Sequence, residues 1–203
     1  LTSASLITWL APQPVNSPSD FLNVVVLGKS GSGKSVTIKC ILGLITPDVE
    51  ALREQFGFPG MSILQFAFGG DGQAHEFKPH NFPRERVVYT GTHDNDTTMG
   101  WWTSTGLADS TRTSDEVARE KQYALNYLGT DGAEMNWTLI RVGLASVANT
   151  VLIPMQDILG LGSETRMNKP GSQSGNWAFR FSWDQLTPGI TARLRTMVDI
   201  YDR

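Results

Sequence analysis

The sequence is poor in cysteine, in long apolar stretches and in concentrated charge of either sign. Its one cysteine, Cys40, has no partner for an intrachain disulfide, which favours a reducing, cytosolic setting. No run approaches the roughly 20 apolar residues of a membrane-spanning helix, so we expect no membrane partner. The net charge is −3 with both signs interspersed. We therefore expect no nucleic-acid partner, which would require a concentrated basic patch.

Apolar residues and alternating structural signals predict an α/β domain. Forty per cent of the 203 residues are hydrophobic and six are tryptophan, enough for a sizeable core. Short apolar runs predict strands at Asn23–Leu27, Ser62–Phe68, Val87–Tyr89 and Thr150–Ile153. Apolar spacing and end signals predict helices at Thr46–Gly57, Ser114–Leu128, Asn136–Asn149 and Thr187–Ile200. Strands that alternate with helices favour a parallel sheet.

A dense group of polar side chains follows the predicted strand Val87–Tyr89. Residues 90–98 combine one imidazole, two carboxylates, one amide and four threonine hydroxyls. Packing does not require this composition, and α/β folds present their sites at the carboxyl ends of strands. The cluster therefore predicts a ligand site. The alternative is a turn in which Asp and Asn side chains bond their own backbone, which accounts for only one or two of these residues.

A glycine-rich run near the amino terminus matches the phosphate-binding motif G-x-x-x-x-G-K-[ST]. It follows the strand Asn23–Leu27 and precedes a helical pattern at Val36–Leu44. In this motif Lys34 neutralises the β- and γ-phosphates and Ser35 can hold Mg²⁺. The glycines that let the backbone curl around a phosphate are Gly28, Gly31 and Gly33. The alternative is a flexible Gly-Ser linker.

The stretch Leu22–Pro47 resembles the first strand, phosphate loop and helix of an ABC-transporter ATPase. Hydrolysis would also need an acidic residue at the end of a second strand and a group that orients water. Asp157 is the only loose candidate for the acid, and a proline interrupts the strand before it. No Leu-Ser-Gly-Gly-Gln-like signature occurs in the sequence. Binding of ATP with Mg²⁺ is therefore an alternative function.

A series of motifs follows in collinear order over most of the chain. They are Ile45–Arg53, Phe58–Met61, Leu64–Phe68, Pro79–Asn81, Val88–Thr97, Gly100–Trp102, Pro154–Asp157, Leu159–Glu164, Arg166–Asn168 and Ser174–Trp177. Through them the chain from about Gly43 to Arg203 resembles the carboxyl-terminal half of amylomaltase, the 4-α-glucanotransferase of glycoside hydrolase family 77. The resemblance implies a TIM barrel with insertions, α-1,4-glucans or maltodextrins as partners, and no cofactor. It also implies a cytoplasmic location, or a plastid location in a plant.

The resemblance assigns roles to individual residues in a retaining glycosyl transfer. Asp94 matches the aspartate that stabilises the transition state, and His93 matches its hydrogen-bonding neighbour. Asp71 and Asn168 match an aspartate and an asparagine that bind the substrate. Tryptophans 101 and 102 are either sugar platforms or core residues, and large aromatics are mostly core. No metal site is implied; Ser35 would hold Mg²⁺ only under the alternative.

Two departures from the family pattern predict impaired catalysis. Cys40 occupies the position of the acid/base glutamate, and the Arg-Ile-Asp-His-Phe-like strand of the nucleophile does not occur in these 203 residues. Retaining transfer needs both carboxyl groups. The ATPase-like and amylomaltase-like segments overlap in the pattern Gly-Leu-Ile-Thr-Pro-Asp. We therefore interpret the chain as a chimera joined near Gly43–Asp48.

The sequence divides into three predicted parts. Residues 1–20 form a loop or disordered arm, residues 21–44 a P-loop-like strand–loop–helix unit, and residues 45–203 a glucanotransferase-like half-barrel. A full (β/α)₈ barrel takes about 250 residues, so we predict an α/β fold that is a partial TIM barrel. Its open sheet edges would allow self-association. The competing hypotheses are an impaired glucan-binding domain, a nucleotide-binding module and a non-functional hybrid.

Overall fold

The computed structural model describes residues 6–9, 23–26, 51, 53–70, 72, 74–106 and 113–203. The chain forms two compact units, Leu1–Gly60 with Arg203, and Met61–Asp202. The phosphate-loop run Gly28–Ser35, Cys40 and Asp71 lie outside the described residues. What was predicted for them, and the division at residues 20 and 44, stays a prediction.

The first unit contains a two-stranded antiparallel ribbon. Strand β1 (Leu6–Trp9) pairs with β2 (Asn23–Val26), with Leu6 opposite Val26. Strand β2 agrees with the predicted strand Asn23–Leu27. Strand β1 falls within residues 1–20, where the sequence predicted a loop or disordered arm. The physical reason is the composition of Leu6–Trp9, in which β-branched and aromatic residues favour an extended chain.

Gly57 ends the first described helical segment, as the sequence predicted. Residues 51 and 53–55 are helical, and Gly57 has a φ of 64°. Its N–H donates to the carbonyl of Glu54 at 3.0 Å, and the N–H of Phe58 donates to the carbonyl of Arg53 at 3.0 Å. A left-handed residue at this position satisfies the last carbonyls of a helix, and glycine adopts that conformation without steric cost.

A three-stranded sheet carries the functional loop of the second unit. Its strand order is β3 (Gly60–Ile63), β4 (Arg86–Tyr89), β5 (Thr150–Leu152). Strands β4 and β5 are parallel, with Val88 opposite Val151. Parallel strands require a crossover, and here helices α1 (Thr98–Thr103), α2 (Ser114–Leu128) and α3 (Met135–Ala145) provide it. The predicted parallel α/β arrangement is thus confirmed for this pair of strands.

Two elements end several residues before their predicted limits. The predicted strand Ser62–Phe68 is extended only as far as Ile63, and Leu64–Phe68 forms a 3-10 turn. The turn buries Leu64, Gln65, Ala67 and Phe68 and exposes Phe66, a pattern that strict alternation does not give. Helix α3 ends at Ala145, because Ser146 is extended and its hydroxyl donates to the carbonyl of Gly143 at 2.7 Å.

A short helix, α4 (Met155–Ile158), follows β5. Helix α2 has the predicted limits, and the last helix, α5 (Pro188–Ile200), begins directly after the predicted Thr187, which is its N-cap. Thr113 caps α2 in a capping box with Glu116, and Gly129 closes it with a φ of 62°. Thr187 caps α5 by accepting from the N–H of Ile190, and Pro188 takes the first helical position. None of the helices in the described part of the chain is both long and apolar enough to cross a membrane.

Helix α3 lies between two groups of buried apolar side chains. The sheet-side cluster consists of Leu64, Ala67, Phe68, Phe82, Val88, Trp101, Ala124, Met135, Leu139 and Ala148. The α5-side cluster consists of Trp137, Ile140, Leu144, Ile158, Met197 and Val198. Leu139 and Ile140 are adjacent in sequence and fully buried, one in each cluster. The sheet-side cluster includes Val88, so it supports the strand from which the polar loop emerges.

Candidate functional site

The polar residues predicted to form a site leave the carboxyl end of β4 and lead into α1. Part of this segment, which we call the Asp94 loop (residues 90–98), is a local turn. The side-chain oxygen of Asn95 accepts from the N–H of Thr92 at 2.9 Å and from its hydroxyl at 2.7 Å. The alternative prediction of a self-bonded turn is therefore correct for Asn95. This turn places His93 and Asp94 at the tip of the loop, with 42% and 53% of their side-chain surfaces exposed.

Two predicted binding residues meet at the carboxylate of Asp94. The side-chain amide of Asn168 donates to Asp94 Oδ1 at 2.5 Å. The Nε2 atom of His93 lies 3.3 Å from Asp94 Oδ2 and attracts it when the imidazole is protonated. Three of the four predicted glucan-site residues thus form one group, and the fourth, Asp71, lies outside the described residues.

Arg166 fixes the second loop against the first, a role that sequence reasoning did not assign. Its Nη2 atom donates to the carbonyl of Asp94 at 2.7 Å, and its Nε atom donates to the carbonyl of Asn168 at 2.9 Å. The N–H of Asn168 donates to the carbonyl of His93 at 3.0 Å. The only sequence signal for this role is the position of Arg166 two residues before Asn168.

Trp177 is the aromatic side chain beside this group. Its ring centroid lies 5.1 Å from that of His93, and 49% of the residue is exposed. Its backbone has a φ of 63°, which is uncommon for a bulky residue. The N–H of Trp177 donates to the carbonyl of Met167 at 2.7 Å and holds the residue next to the Asn168 loop. An exposed indole beside polar groups is suited to stack on the apolar face of a sugar ring.

Trp101 belongs to the core, as one of the two predicted alternatives had it. It is 7% exposed, and its ring centroid lies 5.8 Å from that of Phe68. Its indole N–H donates to Glu120 Oε1 at 3.0 Å, so the polar edge of the ring has a buried partner. Trp102 is half-buried, with the ammonium of Lys121 5.6 Å from its ring centroid.

Asp96 is less exposed than Asp94, and both its carboxylate oxygens accept hydrogen bonds within the protein. Oδ1 accepts from the N–H of Thr97 at 2.8 Å, and Oδ2 accepts from the hydroxyl of Ser163 at 2.7 Å. The backbone carbonyl of Asp96 accepts from Gln65 Nε2 at 2.9 Å. Asp96 therefore anchors the loop, and Asp94 presents the exposed carboxylate.

Asp157 lies beneath the loop and is almost fully buried, at 1% exposure. The hydroxyl of Thr90 donates to its Oδ2, and the N–H of Thr98 donates to its Oδ1 at 2.7 Å. Burial raises the pKa of the Asp157 carboxyl above its ordinary value, and the nearby charge of Asp96 acts in the same direction. The sequence suggested Asp157 only as a loose candidate for a magnesium-binding acid, whereas its oxygens are bonded to the Asp94 loop.

In the described part of the chain, neither a metal cluster nor the cavity beside α3 coincides with the predicted site. Among the residues that the structure describes, no three His, Cys, Asp or Glu side chains converge on a point that could hold a metal ion. A cavity of about 350 Å³ lies between the end of α2, α3 and α5, lined by residues that include Trp137, Arg141 and Arg193. It contains none of the predicted site residues. The Asp94 group lies at the surface, since the His93 and Asp94 side chains are 42% and 53% exposed.

Comparison with known proteins finds one protein family that matches most of the chain. The family profile of glycoside hydrolase family 77, 4-alpha-glucanotransferase, matches residues 17–187, a range that includes Gly28–Ser35. The chain is 48% identical over 170 residues to a 4-alpha-glucanotransferase of Thermus thermophilus, covering 80% of this chain and 32% of that protein. It is 45% identical over 178 residues to a chloroplastic/amyloplastic 4-alpha-glucanotransferase of Arabidopsis thaliana, covering 85% of this chain and 29% of that protein.

A solved structure shows a similar fold. Amylomaltase from Streptococcus agalactiae, in complex with acarbose, superposes with a TM-score of 0.68 at 32% identity, covering 78% of this chain and 30% of that chain. The α/β fold is therefore similar to that of amylomaltase and consistent with a partial barrel. The chain spans about a third of the length of the relatives it matches.

Proposed function

The chain belongs to glycoside hydrolase family 77, the 4-alpha-glucanotransferases, and from that membership we propose that its Asp94 group binds α-1,4-linked glucans. The observation that carries this proposal is the meeting of His93 and Asn168 at the two oxygens of one half-exposed carboxylate. Asn168 is 74 positions away from Asp94 in the sequence. Two separate loops thus bring hydrogen-bonding groups to one surface carboxylate, an arrangement that supports the binding of sugar hydroxyls.

Each side chain of the group has a distinct task in this proposal. Asp94 accepts bonds from sugar hydroxyls and stabilises the positive charge that develops at the anomeric carbon during transfer. His93 and Asn168 hold the carboxylate and present further polar atoms to the sugar. Trp177 covers the apolar face of the same ring. Asp71, by its match to the family motif, binds another hydroxyl.

We also propose that this chain by itself transfers glucan segments poorly. The support is sequence-based, since Cys40 stands at the position of the acid/base glutamate and the nucleophile motif does not occur in the 203 residues. General acid/base catalysis contributes about 10²- to 10⁴-fold to a rate, and a retaining transfer also needs its covalent nucleophile. The Asp94 group that we propose for binding contains neither residue, so binding and transfer are measured separately.

Titration calorimetry with maltoheptaose tests the binding, and Asp94→Asn is the decisive variant. It retains the shape of the side chain and removes the charge, so we expect affinity to fall about tenfold, the difference between a charged and a neutral acceptor. Asp199→Asn is the matched control, because Asp199 is exposed on α5. The binding proposal is wrong if the unmodified chain does not bind, or if both variants bind equally. Formation of glucose and longer maltodextrins from maltotriose would refute impairment.

Nucleotide binding is the second candidate, favoured by the complete motif at Gly28–Ser35. Equilibrium binding of labelled ATP with Mg²⁺ tests it, with Lys34→Ala as the variant and Lys78→Ala as the control. Loss of binding in Lys34→Ala alone would support the nucleotide-binding module. Equal binding in all three proteins, or none, would exclude it.

We further propose that the chain is a chimera joined near Gly43–Asp48. Sequencing the transcript across codon 40 tests this junction, since an Ala-Glu-Asp-Leu-Gly reading there would restore the acid/base glutamate.

We also propose that the open sheet edges allow self-association, which sedimentation measures. A sharp cooperative melt would count against the non-functional hybrid. We propose a cytoplasmic location, or a plastid location in a plant, which fractionation of the source cells tests.

A further inference from the structure

We propose that Asp157 is a positioning residue that holds the two ends of the Asp94 loop at a fixed separation, a role that rests on the glucan binding proposed above. The loop begins at Thr90, at the end of β4, and finishes at Thr98, the first residue of α1. Thr90 donates its hydroxyl to Asp157 Oδ2, and Thr98 donates its N–H to Asp157 Oδ1 at 2.7 Å. One carboxylate therefore binds both ends of the segment that presents Asp94.

These bonds are protected from water, in contrast to those at the tip of the loop. Thr90 and Thr98 are fully buried, and Asp157 is 1% exposed. At the tip, the side chains of His93 and Asp94 are 42% and 53% exposed. Hydrogen bonds to a carboxylate are stronger than neutral ones and are strengthened further where water is excluded. The two ends of the loop, at Thr90 and Thr98, are thus held more rigidly than its tip.

Asp157 is itself held in place by its backbone. Its carbonyl accepts from Asn136 Nδ2 at 2.8 Å, which ties it to helix α3. Its N–H donates to the carbonyl of Pro154 at 3.0 Å at the start of the short helix α4 (Met155–Ile158). The carboxylate of Asp157 therefore links the loop to helices α3 and α4, so the packing of these helices fixes where the loop ends lie. A binding loop held in this way loses less conformational entropy when a ligand orders it.

The bonds that Thr90 and Thr98 donate to Asp157 can be removed by substitutions that keep the shape of the side chain. Such substitutions test positioning without a change in packing. Asp157→Asn has nearly the same shape, but its amide offers one acceptor oxygen and one donor group, so it cannot accept from Thr90 and Thr98 through two oxygens. Thr90→Val has the shape of threonine and no hydroxyl. Thr90→Ser keeps the hydroxyl and should retain the bond. The serine variant is therefore the conservative rescue of the valine variant.

The first measurement needs no glucan. Amide hydrogen exchange of the free protein reports opening of the loop, and we expect exchange at residues 92–98 to rise at least about tenfold in Asp157→Asn and in Thr90→Val. Exchange in α2 should stay within about twofold of the unmodified protein, and Thr90→Ser should resemble it throughout. Leu144→Ala is the control for general destabilisation, because Leu144 lies in the α5-side cluster. It should lower the melting temperature without selectively opening the loop.

The second measurement is maltoheptaose affinity at a temperature where every variant is folded. We expect affinity to fall about tenfold or more in Asp157→Asn and Thr90→Val, and to stay unchanged in Thr90→Ser, Leu144→Ala and Asp199→Asn. If the unmodified chain does not bind glucan, the proposed function fails, and the exchange data still decide whether Asp157 fixes the loop. Unchanged loop exchange in both variants would overturn the positioning role, even where glucan binds. Should Asp157→Asn not fold, Thr90→Val and Thr90→Ser decide the question.

Discussion

Asn168 donates its side-chain amide to Asp94 Oδ1 at 2.5 Å, and so joins two loops that are 74 positions apart. The bond leaves Asp94 Oδ2 directed toward His93 Nε2, 3.3 Å away. One carboxylate oxygen is thereby oriented by a neutral amide and the other by an imidazole. This relationship determines how the carboxylate faces a sugar, and it leads to the first prediction.

Replacing Asn168 with alanine should weaken maltoheptaose binding about tenfold, because Asp94 loses the bond that orients its carboxylate and the sugar loses a polar contact. Calorimetry measures the affinity. Asn126→Ala is the matched control, since Asn126 is exposed on α2 and bonds only to Gln122 among the contacts that the structure describes. Equal affinities in the two variants would show that Asn168 does not contribute to the site.

Replacing a helical glycine with alanine should have opposite effects on the free energy of unfolding at Gly100 and at Gly189. A Cβ atom on Gly100, in α1, would lie 2.6 Å from Asp96 Cγ and would also collide with the hydroxyl of Ser163. On Gly189, in α5, the nearest atom would be Thr187 Oγ1 at 3.9 Å. We expect Gly100→Ala to lower the free energy of unfolding by about 2 kcal/mol, the cost of overpacking. Gly189→Ala should raise it by about 0.5 to 1 kcal/mol.

Urea unfolding followed by circular dichroism measures both values. Both variants replace a helical glycine with alanine, so the difference between them reports the space available to the added Cβ atom. A stabilising Gly100→Ala would mean that Asp96 and Ser163 can move apart without loss, which would contradict the anchoring role assigned to Asp96.

Trp101 should contribute to stability and not to glucan binding, and the exposed Trp183 serves as its control. Trp101→Phe removes the indole N–H that donates to Glu120, and we expect a loss of about 2 to 4 kcal/mol in the free energy of unfolding. Trp183→Phe should change stability by less than about 0.5 kcal/mol, because Trp183 is 58% exposed. Glucan affinity should be unchanged in both variants at temperatures where they are folded. Reduced affinity in a folded Trp101→Phe protein would restore the sugar-platform alternative.

The buried carboxyl of Asp157 predicts a pH dependence of stability. Burial raises the pKa of Asp157 above its ordinary value of 3.8, so the native state holds the proton to a higher pH than the unfolded chain. Between these two pKa values the native state binds more protons, and its stability relative to the unfolded chain rises as pH falls. Asp157→Asn does not titrate. The stability of the unmodified protein relative to this variant should therefore increase as the pH falls from neutral toward the ordinary carboxyl pKa of 3.8.

Urea unfolding at several pH values measures this difference, with Asp199→Asn on the surface of α5 as the control substitution. A difference that shrinks toward low pH would contradict the direction of the shift. It would mean that the bonds from Thr90 and Thr98 stabilise the ionised form by more than burial destabilises it.

Local signals in the sequence predicted the best-defined elements. Helix α2 has its limits where Thr113, Glu116 and Gly129 provide end signals that act within a few residues. The strand Val87–Tyr89 and the polar cluster after it were also predicted from composition alone. By contrast, the run Ser62–Phe68 contains enough apolar residues for a strand, and only packing against the sheet-side cluster shows that its last five residues form a 3-10 turn.

The contacts of the site required the tertiary structure. Asn168 and His93 were proposed through their place in family motifs, and the structure brings them to Asp94. The bond between Thr90 and Asp157 joins residues 67 positions apart, and no local pattern indicates it. The left-handed backbone of Trp177 is equally unpredictable, because bulky residues rarely adopt it. Such contacts depend on which loops become neighbours, which the chain topology decides.

Helix α3 has a consequence for how the second unit loses its structure. Leu139 packs in the sheet-side cluster and Ile140 in the α5-side cluster, so the two clusters share one helix as a common wall. Helix α3 also packs closely against β5, where Gly143 faces Val151. Opening either cluster would therefore expose the helix that supports the other. The two clusters are thus a single cooperative block, and melting of either removes the foundation of the Asp94 loop.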